Sequence, residues 1–444
     1  MKDLTTGKEE SVILKFTMPI LIGNIFQQSY NIVDSLIVGN LLGKNALASV
    51  SASSNIMFAI LLVVMGLTLG INILVARYFG AKDMLNIKKT IDTALIFSFI
   101  LSLIITILGL INISHLLVFF NIPLEIMSES KTFLTILLIG TISSFFYNTI
   151  SSILRGMGDS KTPLYFLIAS TILNIFLDFL FIGILNLGSS SAAAATVISQ
   201  TFSFIGCFIY FNNIYYEFKF NIRDIHFDLS ILKLTLDIGF PVAIQKLFIA
   251  GGLIVIQVLT NGFGTDSVAA LAIAGKLDSF AQMPALNLAD ALSIFTAQNL
   301  GANKPCRVRK GYFCTLAISF ITCISITIII VSSSRFLMRL FVSDLLVINI
   351  GQNYLTVVGL FYIVYAAMVV TNGILLGIGN SLIPMISTII SLWCVQIPIS
   401  VFLINKIGIS GIWIAIPIGW IAGFSVRFLY YLYGNWRKKI LLNT

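Results

Sequence analysis

The sequence predicts an all-α membrane protein with twelve transmembrane helices, arranged as two six-helix lobes related by an internal repeat. Composition is the first observation behind this fold class. Hydrophobic residues make up 58% of the 444 residues and charged residues only 10%, whereas a soluble domain carries about 25% charge. A helix needs roughly 20 apolar residues to cross the hydrocarbon core. Twelve such runs occur, six in each half, centred near residues 25, 62, 101, 144, 174, 201, 248, 284, 322, 365, 394 and 421.

Two motifs that recur at one spacing are the second observation. The segment Ile153–Leu164 (ILRGMGDSKTPL) returns 221 positions later as Ile374–Met385 (ILLGIGNSLIPM). The segment ARYFGAK, which begins at Ala76, returns at the same spacing as AQNLGAN, which begins at Ala297. Matches at one offset indicate a duplicated unit, and parallel repeats of this size are a common plan for transporters. We therefore predict an N-lobe over residues 1–214, a charged cytoplasmic linker over 215–233 and a C-lobe over 234–444.

The distribution of Lys and Arg predicts the orientation of the chain. An even number of spans places both termini on one side of the membrane. The termini and the loops on that side carry 19 Lys and Arg residues against 5 in the opposite loops, so both termini should be cytoplasmic. This bias also accounts for the net charge of +9 without a nucleic-acid partner. The chain is therefore expected to be a multi-pass protein of the cell membrane.

Targeting and metal-binding signals are weak. The first apolar segment is long and lacks the small-residue cleavage site of a signal peptide. The five cysteines are scattered, and only two histidines exist. No metal-ligand spacing joins them, so we predict no zinc site, structural disulfide or cofactor.

The first helix carries a polar stripe. Asn24, Gln27, Asn31 and Asp34 are spaced 3, 4 and 3 apart, which places them on one helical face. Such a face is costly in lipid, so it should point to the bundle interior or to water. Pro19 precedes the stripe and allows this helix to bend. A hydrogen-bonded packing seam is the alternative, although carboxylates inside membranes are usually functional, which favours a role for Asp34.

The fifth and sixth helices supply further polar groups. Asn174 and Asp178 are four residues apart and stack on one face. Their carboxylate and amide oxygens suit Na⁺, and in a desolvated pocket the same carboxylate could instead carry a proton. The alternative is that Asp178 lies near the outer end of its helix and is merely solvated. On the sixth helix, Thr196 follows four alanines that favour close packing and could add a hydroxyl group.

The two copies differ at these acids. At the 221 offset, Asp34 corresponds to Val255 and Asp178 to Ile399. The duplication therefore left the acidic site in one half only. An ion-coupling site needs to exist only once, so this asymmetry favours coupling over a structural role.

The second half has its own charges within predicted spans. Lys276 and Asp278 are two residues apart and do not face each other on a helix, and Lys246 can extend toward the cytoplasm. Asp290 lies deep in the eighth span. We take Gln245, Lys276 and Asp290 as candidates for a substrate cavity, with structural pairing as the alternative.

The repeated loop GMGDSKTP has a local interpretation. Its glycines should end one helix, and Asp159 or Ser160 should cap the next, with Pro163 in the first turn. We expect helix-end chemistry here rather than a substrate site.

The combined motifs resemble a known family over essentially the whole chain. Pro19, VDSLIVGNLLGKNALA (Val33–Ala48), ILRGMGDSKTP (Ile153–Pro163), LNIFLD (Leu173–Asp178) and FTAQNLGANK (Phe295–Lys304) resemble the MATE family of multidrug and toxic compound extrusion transporters. They look most similar to its bacterial DinF-like branch. The resemblance implies two six-helix lobes around a central cleft, alternating access, and export of amphipathic, often cationic compounds driven by Na⁺ or H⁺.

By this resemblance the cation-coupling residues, and the metal ligands if the ion is Na⁺, are Asp34, Asn174 and Asp178, with Thr196 beside them. Pro19 matches a proline associated with bending of the first helix. Two departures exist. Ser189–Ser191 replaces part of the usual Gly-Ala-Ala start of the sixth helix. The seventh helix has Gln245 and Lys246 where some branches place an acid.

The resulting hypothesis is a secondary antiporter, not an enzyme, acting on small molecules as a monomer. A lipid or lipid-linked oligosaccharide flippase of the same superfamily is the first alternative. An intramembrane aspartyl protease is the remote one, because Gly156–Asp159 formally matches GxGD. A phosphate-binding loop is absent from the sequence, which argues against an ATP-driven pump. The sequence leaves the substrate and the choice between Na⁺ and H⁺ open.

Overall fold

The computed structural model describes residues 3–434, apart from the side chains of Asn31, Ile32, Ser35, Lys44 and Ile222. These residues form α-helices joined by short connections, and no β-strand occurs among them. The first half contains α1 (Glu9–Leu42), α2 (Lys44–Ala81), α3 (Met84–Ile111), α4 (Ile113–Phe119), α5 (Leu124–Gly156), α6 (Lys161–Asp178) and α7 (Ser190–Ile214). The second half contains α8 (Leu229–Asn261), α9 (Thr265–Gly301), α10 (Pro305–Arg339), α11 (Leu345–Gly359), α12 (Tyr362–Gly377), α13 (Leu382–Thr388), α14 (Ile397–Ile407) and α15 (Ser410–Tyr433).

Two stretches of π-helix extend this pattern. Phe179–Ile184 continues α6, and Ile389–Gln396 joins α13 to α14. Each composite helix is long and apolar enough to cross a membrane as one span. Wide π turns inside helices are often found near functional sites, and the first of these begins directly after Asp178.

The spans agree with the predicted fold class. Within residues 3–434, nine helices are long and apolar enough to cross a membrane, and α11 and α12 form one further span bent by 53°. The two remaining long helices, α1 with 34 residues and α9 with 37, carry more polar side chains. Together these match the twelve predicted apolar runs one for one. The predicted all-α membrane fold is confirmed.

The described chain forms two compact units. The first unit contains residues 18–239, and the second contains residues 3–17 and 240–434. In the first unit, α5 packs against α2, α3 and α7, and its Leu134, Leu138 and Phe145 are almost fully buried. The hydroxyl groups of Thr106 and Thr141 lie 2.6 Å apart and join α3 to α5. Such pairs satisfy polar groups where no water reaches them.

The second unit is built around α9 and α12. Helix α9 packs against α10, α11 and α12, and α12 packs against α15. The hydroxyl groups of Tyr312 and Thr371 lie 2.9 Å apart and join α10 to α12. The buried ring of Trp413 on α15 meets Tyr354 edge to face, with ring centres 4.9 Å apart. Aromatic packing of this kind adds to the apolar burial.

The repeat is visible in equivalent close contacts. A Cβ atom on Gly156 would lie 2.9 Å from the carbonyl oxygen of Asn72, and one on Gly377 would lie 2.4 Å from that of Ser293. Gly377 and Ser293 lie 221 positions after Gly156 and Asn72, respectively. Each unit therefore uses a glycine at the same place to bring two helix backbones together.

The repeated loops also share their backbone geometry. Gly158 and Gly379 have φ values of +83° and +88°, the left-handed region that favours glycine. Asp159 then accepts the backbone N–H groups of Lys161 and Thr162 at 3.1 and 3.0 Å. The predicted helix end and acidic cap are confirmed.

Candidate functional site

The predicted acids of the first unit lie on α1 and α6. Asp178 is the last residue of α6 and is fully buried, and Asn174, one turn earlier, is 3% exposed. The carboxyl groups of Asp34 on α1 and Asp178 on α6 are close enough to interact. Two neighbouring acids in one buried site do not readily ionise together. The arrangement can therefore hold a proton or another monovalent cation.

Asn174 organises the surroundings of Asp178. The orientation of its amide is assigned from the neighbouring groups: the nitrogen points toward acceptors, since the opposite orientation would place the oxygen against acceptors only. In this orientation the nitrogen donates to Asp178 Oδ2 at 2.9 Å and to the Tyr30 hydroxyl at 3.2 Å. The amide oxygen accepts the backbone N–H of Thr196 at 3.1 Å. Asn174 thereby connects α1, α6 and α7.

One oxygen of each carboxyl group is buried without a donor in the part of the chain that the structure describes. These atoms are Oδ1 of Asp34 and Oδ1 of Asp178. Buried acceptors without partners are costly, and a small hard cation takes oxygen ligands. Within the described residues, no group of three or more His, Cys, Asp or Glu side chains forms a metal-binding cluster. The donor set of two carboxylates, an amide and hydroxyls fits Na⁺ or a proton rather than a transition metal.

Tyr30 is a member of the site that the sequence analysis missed. Its hydroxyl lies 3.3 Å from the Thr196 hydroxyl, and Thr196 also donates to the carbonyl of Ala192 at 3.0 Å. Tyr30 precedes Asp34 by four residues, so the same helical spacing that defined the polar stripe could have found it.

The rest of the first-helix stripe is less enclosed. Pro19 lies inside α1, which is continuous from Glu9 to Leu42. Asn24 is partly buried, Gln27 is exposed, and the side chain of Asn31 lies outside the described residues.

The candidates of the second half belong to the second unit. Gln245 is buried and donates to the Thr388 hydroxyl at 2.9 Å. The buried guanidinium of Arg427 donates to the same hydroxyl at 2.8 Å. Lys276 and Asp290 are exposed.

A second polar centre surrounds Asp278, which the sequence analysis mentioned without assigning a role. Tyr362 donates to its Oδ1 at 2.8 Å, and Tyr354 and Gln282 donate to its Oδ2 at 3.1 and 2.7 Å. Tyr354 lies on α11 and Tyr362 on α12, so one carboxylate joins both sides of the 53° bend. The spacing of Asp278 and Gln282 is visible in the sequence, but the tyrosines reach them only through the fold.

Two duplicated helical units, with a buried carboxyl pair in one of them, are typical of a membrane transporter. Comparison with known proteins supplies the family. The MatE family model matches residues 19–180 and 241–402, and the chain belongs to this family of transporters. It is therefore not an enzyme, and the protease alternative is wrong. Asp159, its proposed catalytic acid, instead caps α6. The two matched ranges begin 222 residues apart, which confirms the duplication and the resemblance to the MATE family.

Individual proteins agree with this assignment. The chain is 30% identical to the probable multidrug resistance protein YpnP of Bacillus subtilis (strain 168), over 99% of this chain and 98% of that protein. A solved structure of MATE in the bent conformation is similar with a TM-score of 0.91, at 25% identity over 99% of this chain and 97% of that one. A structure of MATE in the straight conformation has a TM-score of 0.90, at 25% identity over 100% of this chain and 99% of that one.

Proposed function

We propose that this protein is a secondary antiporter that exports small amphipathic, often cationic compounds in exchange for Na⁺ or H⁺. The observation that carries the proposal is the buried carboxyl pair Asp34 and Asp178, which has Asn174 beside it and occurs in one repeat only. Two acids that share a buried site do not readily ionise together. Binding of a monovalent cation or a proton offsets the cost of burying their charge.

The coupling step begins when the cation enters this pocket. Asp34 belongs to α1, whereas Asp178 and Asn174 belong to α6, so occupancy changes the hydrogen bonds between these helices. Tyr30 and Thr196 extend the same connection to α7. We propose that α1 changes its packing, with bending near Pro19. Similar proteins solved in bent and straight conformations support a conformational change within the transport cycle.

The substrate class rests on the relatives. YpnP is named as a probable multidrug resistance protein. The chain contains 35 Phe and 14 Tyr residues, which can line a cavity that accepts many amphipathic shapes. Gln245, Lys276 and Asp290 remain candidates for such a cavity. We place the protein in the cell membrane as a monomer of the DinF-like branch, with both termini cytoplasmic.

Dye efflux from proteoliposomes tests the proposal. A fluorescent cationic dye is loaded, and a Na⁺ gradient or a pH gradient is imposed separately. Efflux driven by one gradient alone is expected and identifies the coupling ion. Asp34→Asn and Asp178→Asn should abolish this efflux while the protein still inserts into the membrane. Asp266→Asn, an exposed acid in the first turn of α9, is the matched control.

Two outcomes would contradict this function. Gradient-driven efflux retained in Asp34→Asn would remove Asp34 from the mechanism. Absence of efflux under both gradients, combined with transfer of a fluorescent lipid between leaflets, would support the flippase alternative.

A further inference from the structure

The segment before α1 is bound along its backbone. Leu4 is 1% exposed although it precedes the first helix. Its N–H donates to Gln298 Oε1 at 3.1 Å, and its carbonyl accepts from Asn299 Nδ2 at 3.2 Å. Gln298 and Asn299 are fully buried and belong to the repeated AQNLGAN motif. The proposed transport function assigns no role to this motif.

The next two peptide groups are bound in the same way. The ammonium group of Lys304 donates to the carbonyl of Thr5 at 2.9 Å, and the guanidinium group of Arg307 donates to that of Thr6 at 3.1 Å. Arg307 also pairs with Glu9 at 3.2 Å, in the first turn of α1. Three consecutive carbonyls, from Leu4 to Thr6, thus accept from side chains of residues 299–307. Such repeated backbone capture is typical of a specifically docked segment.

The segment before α8 is held similarly in the first unit. The N–H of His226 donates to Asp92 Oδ2 at 3.3 Å, and the N–H of Asp228 donates to the Thr93 hydroxyl at 3.1 Å. Asp92 is fully buried. Lys89 pairs with the Asp228 carboxylate at 3.6 Å. Two adjacent side chains of α3 therefore bind alternate peptide groups of this segment.

The first turns of α8 also pack tightly in that unit. A Cβ atom on Gly70 of α2 would lie 2.3 Å from the carbonyl oxygen of Thr235, and one on Gly239 would lie 2.9 Å from the Cα of Leu67. The α2 and α8 backbones are therefore in direct contact through these glycines. This contact and the bound peptide groups fix the start of α8.

We propose that residues 4–6 and 226–228 are permanent anchors for the first helix of each repeat. Residues 3–17 belong to the second unit, and residues 18–239 to the first. Each first helix thus begins in the unit formed mainly by the other repeat. Helix α1 passes from the second unit to the first between residues 17 and 18, and α8 passes from the first unit to the second between residues 239 and 240. These two positions agree with the 221 offset to within one residue. They adjoin Pro19 and Pro241, so the anchors confine bending of these helices to segments beyond the crossing points.

Cysteine labelling tests whether the first anchor stays docked, and it does not depend on the transported compound. In a background without the five native cysteines, Leu4→Cys places a thiol at a buried position and Thr6→Cys at an exposed one. A membrane-impermeant maleimide is applied to inside-out vesicles, with and without an imposed ion gradient. Thr6→Cys should label quickly in all conditions. Leu4→Cys should label slowly in all of them.

The anchoring contacts are then removed. The double change Gln298→Ala and Asn299→Ala should speed labelling of Leu4→Cys on the order of tenfold, because local opening exposes the buried thiol. In the otherwise native chain the same double change should slow gradient-driven dye efflux at an unchanged half-saturating ion concentration. Fast labelling of Leu4→Cys during turnover would overturn the proposal, since the segment would then be a detachable latch. Faster labelling with unchanged efflux would also overturn it. The labelling rate of Leu4→Cys reports on the anchor, and the half-saturating ion concentration reports on the coupling site, so the failure of one is distinguished from the failure of the other.

Discussion

The hydroxyl groups of Tyr30 and Thr196 lie 3.3 Å apart, which joins α1 to α7 beside the amide of Asn174. Asn174 in turn donates to both Tyr30 and Asp178. A shift of α1 therefore acts on Asp178 by two routes, one through Asp34 and one through Tyr30. The phenol of Tyr30 is neutral, so its hydroxyl group can be removed without changing any charge in this network.

We expect Tyr30→Phe to weaken the driving ion's effect without abolishing transport. The change removes one neutral hydrogen-bonding group, worth about 1 kcal/mol. That energy corresponds to a rise of roughly fivefold in the ion concentration giving half-maximal efflux. Dye efflux at varied Na⁺ or pH measures it. Tyr165→Phe, at an exposed position on α6, is the control and should leave this concentration unchanged. An unaltered value for Tyr30→Phe would exclude Tyr30 from the site.

Asp278→Asn should lower the thermal stability of the purified protein. Three donors converge on the carboxylate, and hydrogen bonds to a charged group contribute about 1.5–3 kcal/mol each. In the variant, the side-chain nitrogen of the new asparagine would face hydrogen-bond donors and could not accept from them. Thermal unfolding in detergent measures the loss, with Asp266→Asn as the exposed control. Equal unfolding temperatures for both variants would show that Asp278 does not hold the two sides of the bent span.

Gly377→Ala should destabilise the protein, because its Cβ would lie 2.4 Å from the carbonyl oxygen of Ser293. Overpacking of this kind costs about 1–3 kcal/mol. Gly156→Ala should act in the same direction but less, since its nearest contact is 2.9 Å. A Cβ on Gly275 meets nothing within 4 Å, so Gly275→Ala should be neutral or stabilising, as alanine is favoured in a helix. Unfolding temperatures in the reverse order would contradict the close helix contact.

Thr388→Val should destabilise the second unit more than an ordinary surface change. Its hydroxyl accepts from both Gln245 and Arg427, and valine leaves these donors without that acceptor. Each unsatisfied buried donor costs about 1–3 kcal/mol. Thr322→Val is a suitable control, because the Thr322 hydroxyl donates to the carbonyl of Ile318 in its own helix. Chemical or thermal unfolding of the two variants should separate them clearly.

Much of this architecture could be predicted from the sequence. The duplication, the apolar runs and the helical caps depend on local spacing, which residue order records directly. The same holds for Asn174 and Asp178, which share a face because they are four residues apart. The position of Asp34 required one further argument: a carboxylate that faces lipid is energetically unfavourable, so this side chain was expected to point to the interior.

Long-range partners could not be predicted in this way. Tyr354 and Tyr362 bind Asp278 from 76 and 84 residues away, and nothing in the order of residues connects them. The bend between α11 and α12 contains no proline. Gly359 ends α11 there, but Gly351 and Gly373 lie inside the same two helices, so a glycine alone did not locate the bend. The docking of Leu4 depends on side chains near residue 299 and likewise required the fold.

The exchanged beginnings of α1 and α8 have an evolutionary consequence. Homodimers in which identical chains trade an N-terminal element are domain-swapped. Joining two such chains end to end would produce the connectivity seen here, with each traded element retained. A single-repeat polypeptide cut from this protein would therefore lack the residues that bind its own leading segment, and it should be less stable alone than in the presence of the other repeat.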